Sequence, residues 1–168
     1  RELVAAFADE GYDTIAPALF DRAERDVELG YEAADVARGR ELRGRIANDD
    51  TVRDMAACRH ALHGSGRIAA IGYCWGGTLA WASATRLDGL DAAVCFYGGG
   101  IPGMVGETPR CPVQFHFGET DHSISMAGVE TVRAARPDDE LYVYPAGHGF
   151  ACEERASYHA ESDTLGHE

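Results

Sequence analysis

One short segment has the residue types and spacing of a nucleophile elbow. In Gly72-Tyr73-Cys74-Trp75-Gly76-Gly77, a cysteine stands two residues after one glycine and two before another, between an apolar run and a helical pattern. Such a turn is so sharp that the strand and the helix nearly touch at these two glycines, where a side chain would clash. We predict that Cys74 is a nucleophile and that the Trp75 backbone N–H is an oxyanion-hole donor.

Two later residues have the types needed to activate this thiol. Asp121 follows the apolar run PVQFHFG and His148 follows the run LYVY, so the chain order is nucleophile, acid, histidine, as in hydrolases with this elbow. We predict His148 as the general base and Asp121 as the residue that orients it. The alternative is that Cys74 is a small buried apolar residue and that the glycines only shape a turn.

A parallel sheet is needed to bring these residues together, and the sequence predicts one. Short apolar runs typical of buried parallel strands are IAAIGY, AAVCFYGG, PVQFHFG and LYVYPAG, with helical patterns over 78–86 and 125–136. This alternation predicts an α/β fold in a single domain over 1–168, with a mostly parallel sheet and helices on both faces.

The first part of the chain has a mainly helical pattern. Residues 1–10 predict an amphipathic helix that ends at Gly11, followed by a strand at 12–16 and a surface loop. Residues 31–46 predict a helix, and a second helix, capped by Asn48 or Asp50, runs to Gly64.

The overall composition restricts the class of partner. The 168 residues carry 15 basic and 28 acidic side chains, for a formal net charge of −13, which would repel nucleic acid and anionic membranes. The 5 cysteines form no CxxC pair, which favours a reducing cytoplasm over a disulfide framework. Apolar runs of membrane-spanning length are absent. We expect no nucleic-acid or membrane partner, and a monomer or a small homo-oligomer.

Three segments around these residues resemble one protein family. GYCWGG, GETDHSIS and YPAGHGFACEERASYH are similar to the motif regions of dienelactone hydrolases, also called carboxymethylenebutenolidases, and EGYDTIAPALF resembles the family's helix-to-strand segment. The resemblance implies an α/β-hydrolase fold without a cofactor and a Cys-His-Asp triad. It also implies hydrolysis of the enol lactone dienelactone to maleylacetate in aromatic-compound degradation, through a thioester acyl-enzyme.

The resemblance also suggests substrate-binding residues. Family substrates carry a carboxylate that arginines bind, and Arg22 matches one of these arginines. The second would fall at Cys152, where this chain has no cation, and Arg155 is the candidate replacement. Trp75 and Phe150 flank the predicted catalytic positions and are candidates to line the acyl pocket.

The family pattern extends beyond this sequence at both ends. It has strands upstream of the first helix, which supply the second oxyanion-hole N–H and a glutamate that gates the thiol, and it continues into a last helix. The resemblance therefore implies that these residues lack the N-terminal strands and the last helix, as part of a longer polypeptide.

Three functional hypotheses stay open. The first is a thiol hydrolase of lactones or activated esters, and the second is an acyl hydrolase of peptides or simple esters. The third is a non-catalytic binding or redox-sensing module with Cys74 as its reactive thiol. No metal site is predicted, because His116, His122 and His148 lack ligand spacing and a carboxylate partner.

Overall fold

Helices make up the first part of the chain. A computed structural model describes residues 2–167, which divide into two units between Ile68 and Ala69. The first unit contains α1 Glu2–Asp9, a short 3-10 helix Leu19–Arg22, α2 Ala33–Gly44 and α3 Asn48–Ala61. The three α-helices predicted here are confirmed for their described residues; Arg1 lies outside them. The single domain stays a prediction.

The strand predicted at residues 12–16 is absent, which corrects the sequence interpretation. Within the described chain, this segment takes no part in strand pairing. It folds back on α1 instead: the Tyr12 N–H donates to the Phe7 carbonyl at 3.1 Å, and the Thr14 hydroxyl donates to the Val4 carbonyl at 3.1 Å. The segment is thus attached to α1 and not to a neighbouring strand, and Tyr12 is 65% exposed.

The cap predicted for α3 is also wrong. The helix begins at Asn48, so the N-cap position belongs to Ala47, whose side chain cannot accept a hydrogen bond. The Asn48 side-chain oxygen instead accepts a hydrogen bond from Arg43 at 2.6 Å. Asp50 lies in the first turn, where its negative charge favours the positive end of the helix dipole.

Parallel strands form the sheet that carries the predicted motifs. The strands of the second unit are β1 Ala69–Tyr73, β2 Ala92–Phe96, β3 Val113–Gly118 and β4 Glu140–Tyr144. In the described residues their order across the sheet is β1-β2-β3-β4, and each pair of neighbours is parallel. The four strand predictions in this part of the chain are confirmed.

Helices cover both faces of this sheet. The second unit contains α4 Trp75–Arg86, α5 Met126–Ala135 and α6 Ala160–His167. Trp81 of α4 packs against Phe115 of β3 with ring centroids 5.5 Å apart, whereas His167 of α6 stacks on Phe96 of β2 at 5.0 Å. Phe96 pairs with His116, the neighbour of Phe115, so Phe96 and Phe115 point to opposite faces. The predicted α/β fold, with helices on both faces of a parallel sheet, is confirmed.

A helix also occupies the end of the described chain. This helix is α6 at residues 160–167, and the lack of a further family helix after it stays a prediction. A Cβ on Gly166 would lie 2.8 Å from a ring carbon of Phe96, so this glycine lets α6 approach the sheet closely. None of the helices described between residues 2 and 167 is both long enough and apolar enough to cross a bilayer.

Candidate active site

Cys74 lies in a strained turn between β1 and α4. Its φ of +57 and ψ of −115 form a conformation that L residues rarely adopt. A Cβ on Gly72 would lie 2.0 Å from the Gly76 carbonyl oxygen, and a Cβ on Gly77 would lie 2.4 Å from the Phe96 carbonyl oxygen. The Cys74 N–H donates to that same Phe96 carbonyl at 3.0 Å. These close approaches require glycine and hold the thiol at the carboxyl end of β1.

One detail of the predicted elbow is wrong. The spacing predicts a side-chain clash at Gly76, but a Cβ there would meet nothing within 4 Å. Gly76 approaches Gly72 with its carbonyl group, so the space where its own side chain would lie stays open. The glycine that the turn requires on the helix side is Gly77.

The three predicted catalytic side chains form a continuous line of contacts. His148 Nε2 lies 3.0 Å from Cys74 Sγ, and His148 Nδ1 lies 2.8 Å from Asp121 Oδ2. The other Asp121 oxygen accepts hydrogen bonds from the backbone N–H groups of Ser123 at 2.7 Å and Ile124 at 3.1 Å. The Asp121 side chain is fully buried and that of His148 is 18% exposed.

The parallel sheet explains why residues so far apart in sequence meet. Cys74 follows β1, Asp121 follows β3 and His148 follows β4, and the carboxyl ends of parallel strands meet at one edge of a sheet. The His148 loop is held there by Ser157, whose hydroxyl donates to the His148 carbonyl at 2.7 Å.

The hydrogen bonds fix the tautomer of the imidazole. An ionised Asp121 can only accept, so His148 Nδ1 carries a hydrogen and donates it. His148 Nε2 is then left facing the Cys74 sulfur. In the neutral pair Nε2 accepts a hydrogen bond from the thiol, and in the ion pair the Nε2–H group donates a hydrogen bond to the thiolate.

The electrostatics of the site favour the ion pair. Burial alone would lower the pKa of His148, but its hydrogen bonds to Asp121 and Cys74 outweigh burial and raise that pKa to about 9. Burial likewise opposes ionisation of Cys74, yet the hydrogen bond with His148 brings the pKa of the thiol below its ordinary value. For Asp121, burial is again outweighed by the His148 hydrogen bond, and its pKa is lowered. The arrangement therefore favours a thiolate beside an imidazolium.

A backbone donor also faces the sulfur. The Trp75 N–H, at the first position of α4, makes a hydrogen bond that lowers the pKa of the Cys74 thiol. N–H groups in the first turn have no acceptor within the helix and form the positive end of its dipole. The same N–H can stabilise negative charge on an acyl oxygen held at the sulfur.

The loop after His148 contributes an arginine, Arg155, whose charge influences Cys74. A Cβ on Gly149, whose φ is +81, would lie 2.6 Å from Arg155 Cδ and 2.7 Å from Nη1, so the arginine lies across this glycine. Its positive charge lowers the pKa of Cys74. Phe150, by contrast, is fully buried and packs on Tyr97 with ring centroids 5.2 Å apart.

Arg22 lies in the first unit and is held by acidic neighbours. Its Nε and Nη2 donate to the two oxygens of Asp54, both at 2.7 Å, and Nη1 lies 3.7 Å from Asp50. This bidentate pairing occupies the face of the guanidinium that a substrate carboxylate would use.

Some contacts at the site are not evident from the sequence pattern. The Tyr97 ring lies 5.2 Å from the His148 ring, and Ser157 anchors the histidine loop. The only hint for Tyr97 is the run of three glycines that follows it. Across residues 2–167, no cluster of three or more His, Cys, Asp or Glu side chains is placed to hold a metal ion.

The chain is similar to known proteins over its whole length. A model of the dienelactone hydrolase family matches residues 1–168. A Synechocystis sp. protein assigned as a carboxymethylenebutenolidase is 31% identical over 96% of this chain and 74% of its own length. The carboxymethylenebutenolidase of Pseudomonas putida is 29% identical over 100% and 75%, respectively. A solved structure from Klebsiella pneumoniae, assigned as a dienelactone hydrolase, has a TM-score of 0.82 and 31% identity and covers 99% of this chain and 76% of that chain.

Proposed function

The chain belongs to the dienelactone hydrolase family, and we propose that it hydrolyses lactones or activated carboxylic esters through Cys74, His148 and Asp121. The observation that carries this proposal is the unbroken line of contacts from the Cys74 sulfur, through both ring nitrogens of His148, to the buried Asp121 carboxylate. The Pseudomonas putida carboxymethylenebutenolidase, a relative over the full chain, supports a lactone as the substrate class.

In the first half of the reaction, the Cys74 thiolate adds to the acyl carbon. The carbonyl electron pair moves to oxygen, where the Trp75 N–H stabilises it. Collapse of this intermediate restores the carbonyl, breaks the bond to the leaving oxygen and forms a thioester. An enolate leaves readily without a proton, whereas a poorer leaving group takes one from the His148 imidazolium.

Before the second half, the His148 imidazolium gives up its proton, either to the leaving oxygen or, where an enolate leaves unprotonated, to the enolate or to solvent. Neutral His148 then accepts a proton from water as the water oxygen adds to the thioester carbon. Collapse expels the Cys74 thiolate and releases the carboxylic acid product. Asp121 keeps the Nδ1 hydrogen in place throughout and stabilises the imidazolium when it forms. The thiolate–imidazolium pair is then restored for the next turnover.

We propose Arg155 as the group that binds the substrate carboxylate. Two observations support this proposal: the Arg155 side chain lies across Gly149, the residue that follows His148, and its positive charge is one of the influences that lower the pKa of the Cys74 thiol. Arg22 stays the alternative predicted arginine, and its guanidinium is paired with both oxygens of Asp54. A nucleophilic thiol also requires a reducing environment, so we propose a cytoplasmic enzyme.

The test is steady-state hydrolysis of dienelactone and of p-nitrophenyl acetate by the full-length protein. Cys74→Ala is expected to abolish both activities, and Cys111→Ala, at another half-buried free cysteine, is the matched control expected to retain them. Loss of dienelactone turnover in Cys74→Ala alone supports the nucleophile and the substrate class together.

The remaining outcomes separate the competing functions. Turnover of the simple ester without the lactone would keep the triad and replace the substrate class. Alkylation of Cys74 without turnover of either substrate would favour a non-catalytic thiol module. Multiple turnover that His148→Ala abolishes would exclude that module.

A further inference from the structure

The backbone at Tyr97 is strained. Among the described residues other than glycine, a positive φ occurs at Asp26, Cys74 and Tyr97, and that of Tyr97 is +36. Such strain persists only where the surrounding structure enforces it, and it is concentrated at functional sites. Tyr97 directly follows β2, so it lies at the sheet edge that also carries Cys74 and the other triad residues.

Two backbone contacts enforce this conformation. The Tyr97 N–H donates to the His116 carbonyl at 2.7 Å. On its other side, a Cβ on Gly98 would lie 2.8 Å from the Thr78 nitrogen and 2.9 Å from the Gly77 carbonyl carbon. The chain is thus pressed against the first turn of α4 immediately after Tyr97, and this contact helps hold the strained backbone at Tyr97.

The ring packs against the predicted base. The centroids of the Tyr97 and His148 rings are 5.2 Å apart at an interplanar angle of 62°, an edge-to-face arrangement. The Tyr97 ring also packs against two phenylalanine rings. Its centroid lies 5.2 Å from that of Phe150 at an interplanar angle of 69°, and 6.1 Å from that of Phe96 at 71°. Tyr97 is only 2% exposed, so its ring is a buried aromatic surface against which the imidazole ring packs.

We propose that Tyr97 is a positioning residue whose aromatic ring fixes the His148 imidazole between Cys74 and Asp121 and stabilises its protonated form. This inference rests on the proposed function of the triad. The face of an aromatic ring about 5 Å from an imidazolium attracts it through the ring quadrupole, and more strongly where water is excluded. The tilt of 62° between the two rings is compatible with an imidazole edge directed at the Tyr97 face. The stabilised imidazolium in turn stabilises the thiolate.

The phenol hydroxyl is not the group that acts. Burial, followed by the Cys152 thiol, raises the pKa of Tyr97 well above its ordinary value, so the hydroxyl stays protonated and cannot serve as a base. The proposal assigns the positioning role to the ring, so phenylalanine, which keeps the ring, is the conservative replacement.

The experiment compares the full-length wild type with Tyr97→Leu, Tyr97→Phe and Phe115→Leu. Phe115 is a matched control, because it is also fully buried but packs on Trp81 on the other face of the sheet. One measurement is the rate of Cys74 alkylation by iodoacetamide as a function of pH, read by mass spectrometry. The other is kcat/KM for p-nitrophenyl acetate, with melting temperature as the record of stability.

Tyr97→Leu is expected to raise the pH midpoint of alkylation by about one unit and to lower kcat/KM about tenfold. Tyr97→Phe should stay within about twofold of wild type, and Phe115→Leu should lower the melting temperature without moving the midpoint. Should Tyr97→Leu not fold, Tyr97→Met takes its place with the same expected midpoint.

An unmoved midpoint in the folded leucine or methionine variant would overturn the inference, and so would a shift in Tyr97→Phe as large as in Tyr97→Leu. Failure of the proposed function has a different signature, namely ester turnover that survives Cys74→Ala. Alkylation needs no substrate, so Tyr97 can be judged even then.

Discussion

Replacing Asp121 by asparagine tests the electrostatic logic of the site most directly. Asparagine keeps the shape of the side chain, and its oxygen can still accept from the Ser123 and Ile124 N–H groups. Its amide nitrogen would then face His148 Nδ1 as a donor, which forces the hydrogen onto Nε2. That tautomer cannot accept the Cys74 proton.

The size of the expected loss of activity in Asp121→Asn follows from the pKa of His148. Its value of about 9 stands against an ordinary 6.5, and the difference corresponds to about 3 kcal/mol in favour of the imidazolium. The Asp121 hydrogen bond is the largest contribution that raises this pKa. If this hydrogen bond supplies at least half of the difference in pKa, its loss reduces the population of the ion pair by at least about tenfold. The wrong tautomer reduces that population further. We expect kcat/KM to fall by about 10²-fold or more.

The assay is kcat/KM for an activated ester across pH, together with the pH profile of Cys74 alkylation. Asp163→Asn is the matched control, because Asp163 also pairs with a histidine, His167, at 3.1 Å in α6. This control should keep its activity within about twofold. An Asp121→Asn enzyme with near wild-type kcat/KM and an unchanged alkylation profile would refute the orienting role of Asp121.

Two further predictions concern a buried histidine and the substrate charge. His116 is 2% exposed, and burial, together with the charge of His167, lowers its pKa to about 4. In the unfolded chain the same imidazole binds a proton from about pH 6.5 downward. The free energy of unfolding therefore decreases as the pH falls from 6.5 to 4. Chemical denaturation at both pH values should show His116→Phe losing about 3 kcal/mol less than wild type, and parallel losses would contradict this. Arg155→Gln should lower kcat/KM about 10-fold or more for a carboxylate-bearing lactone but less for a neutral ester; equal losses would argue against Arg155 as the carboxylate site.

The parts of the site that were predictable are those with local sequence signals. The elbow needs glycine at fixed positions around Cys74. Each strand is recognisable in the sequence as a short apolar run, because both of its faces are covered. Once the strands are parallel, the loops after them must share one edge of the sheet. The spatial meeting of Asp121 and His148 therefore follows from the position of each residue directly after a strand of a parallel sheet.

The features that sequence could not predict depend on contacts between distant residues. The segment at 12–16 has strand-like composition, but its hydrogen bonds go to α1. Gly77, not Gly76, is the tight position, because the obstacle is the Phe96 carbonyl on the next strand. α6 has little apolar periodicity of its own, and its place depends on Gly166 fitting against the Phe96 ring.

The net charge of −13 and a carboxylate-bearing substrate are compatible because they act over different distances. At physiological ionic strength, charges more than about 8 Å apart are largely screened, so the dispersed acidic surface contributes little at the nucleophile. A single guanidinium in contact with a carboxylate near the surface contributes about 4 kcal/mol of attraction before desolvation. If Arg155 binds the substrate carboxylate as proposed, we expect its charge, which also lowers the pKa of Cys74, to outweigh the remote acidic residues for a small anion. A long polyanion would meet the acidic surface all along its length, so we still expect the chain to repel nucleic acid even if the proposed site binds a small carboxylate.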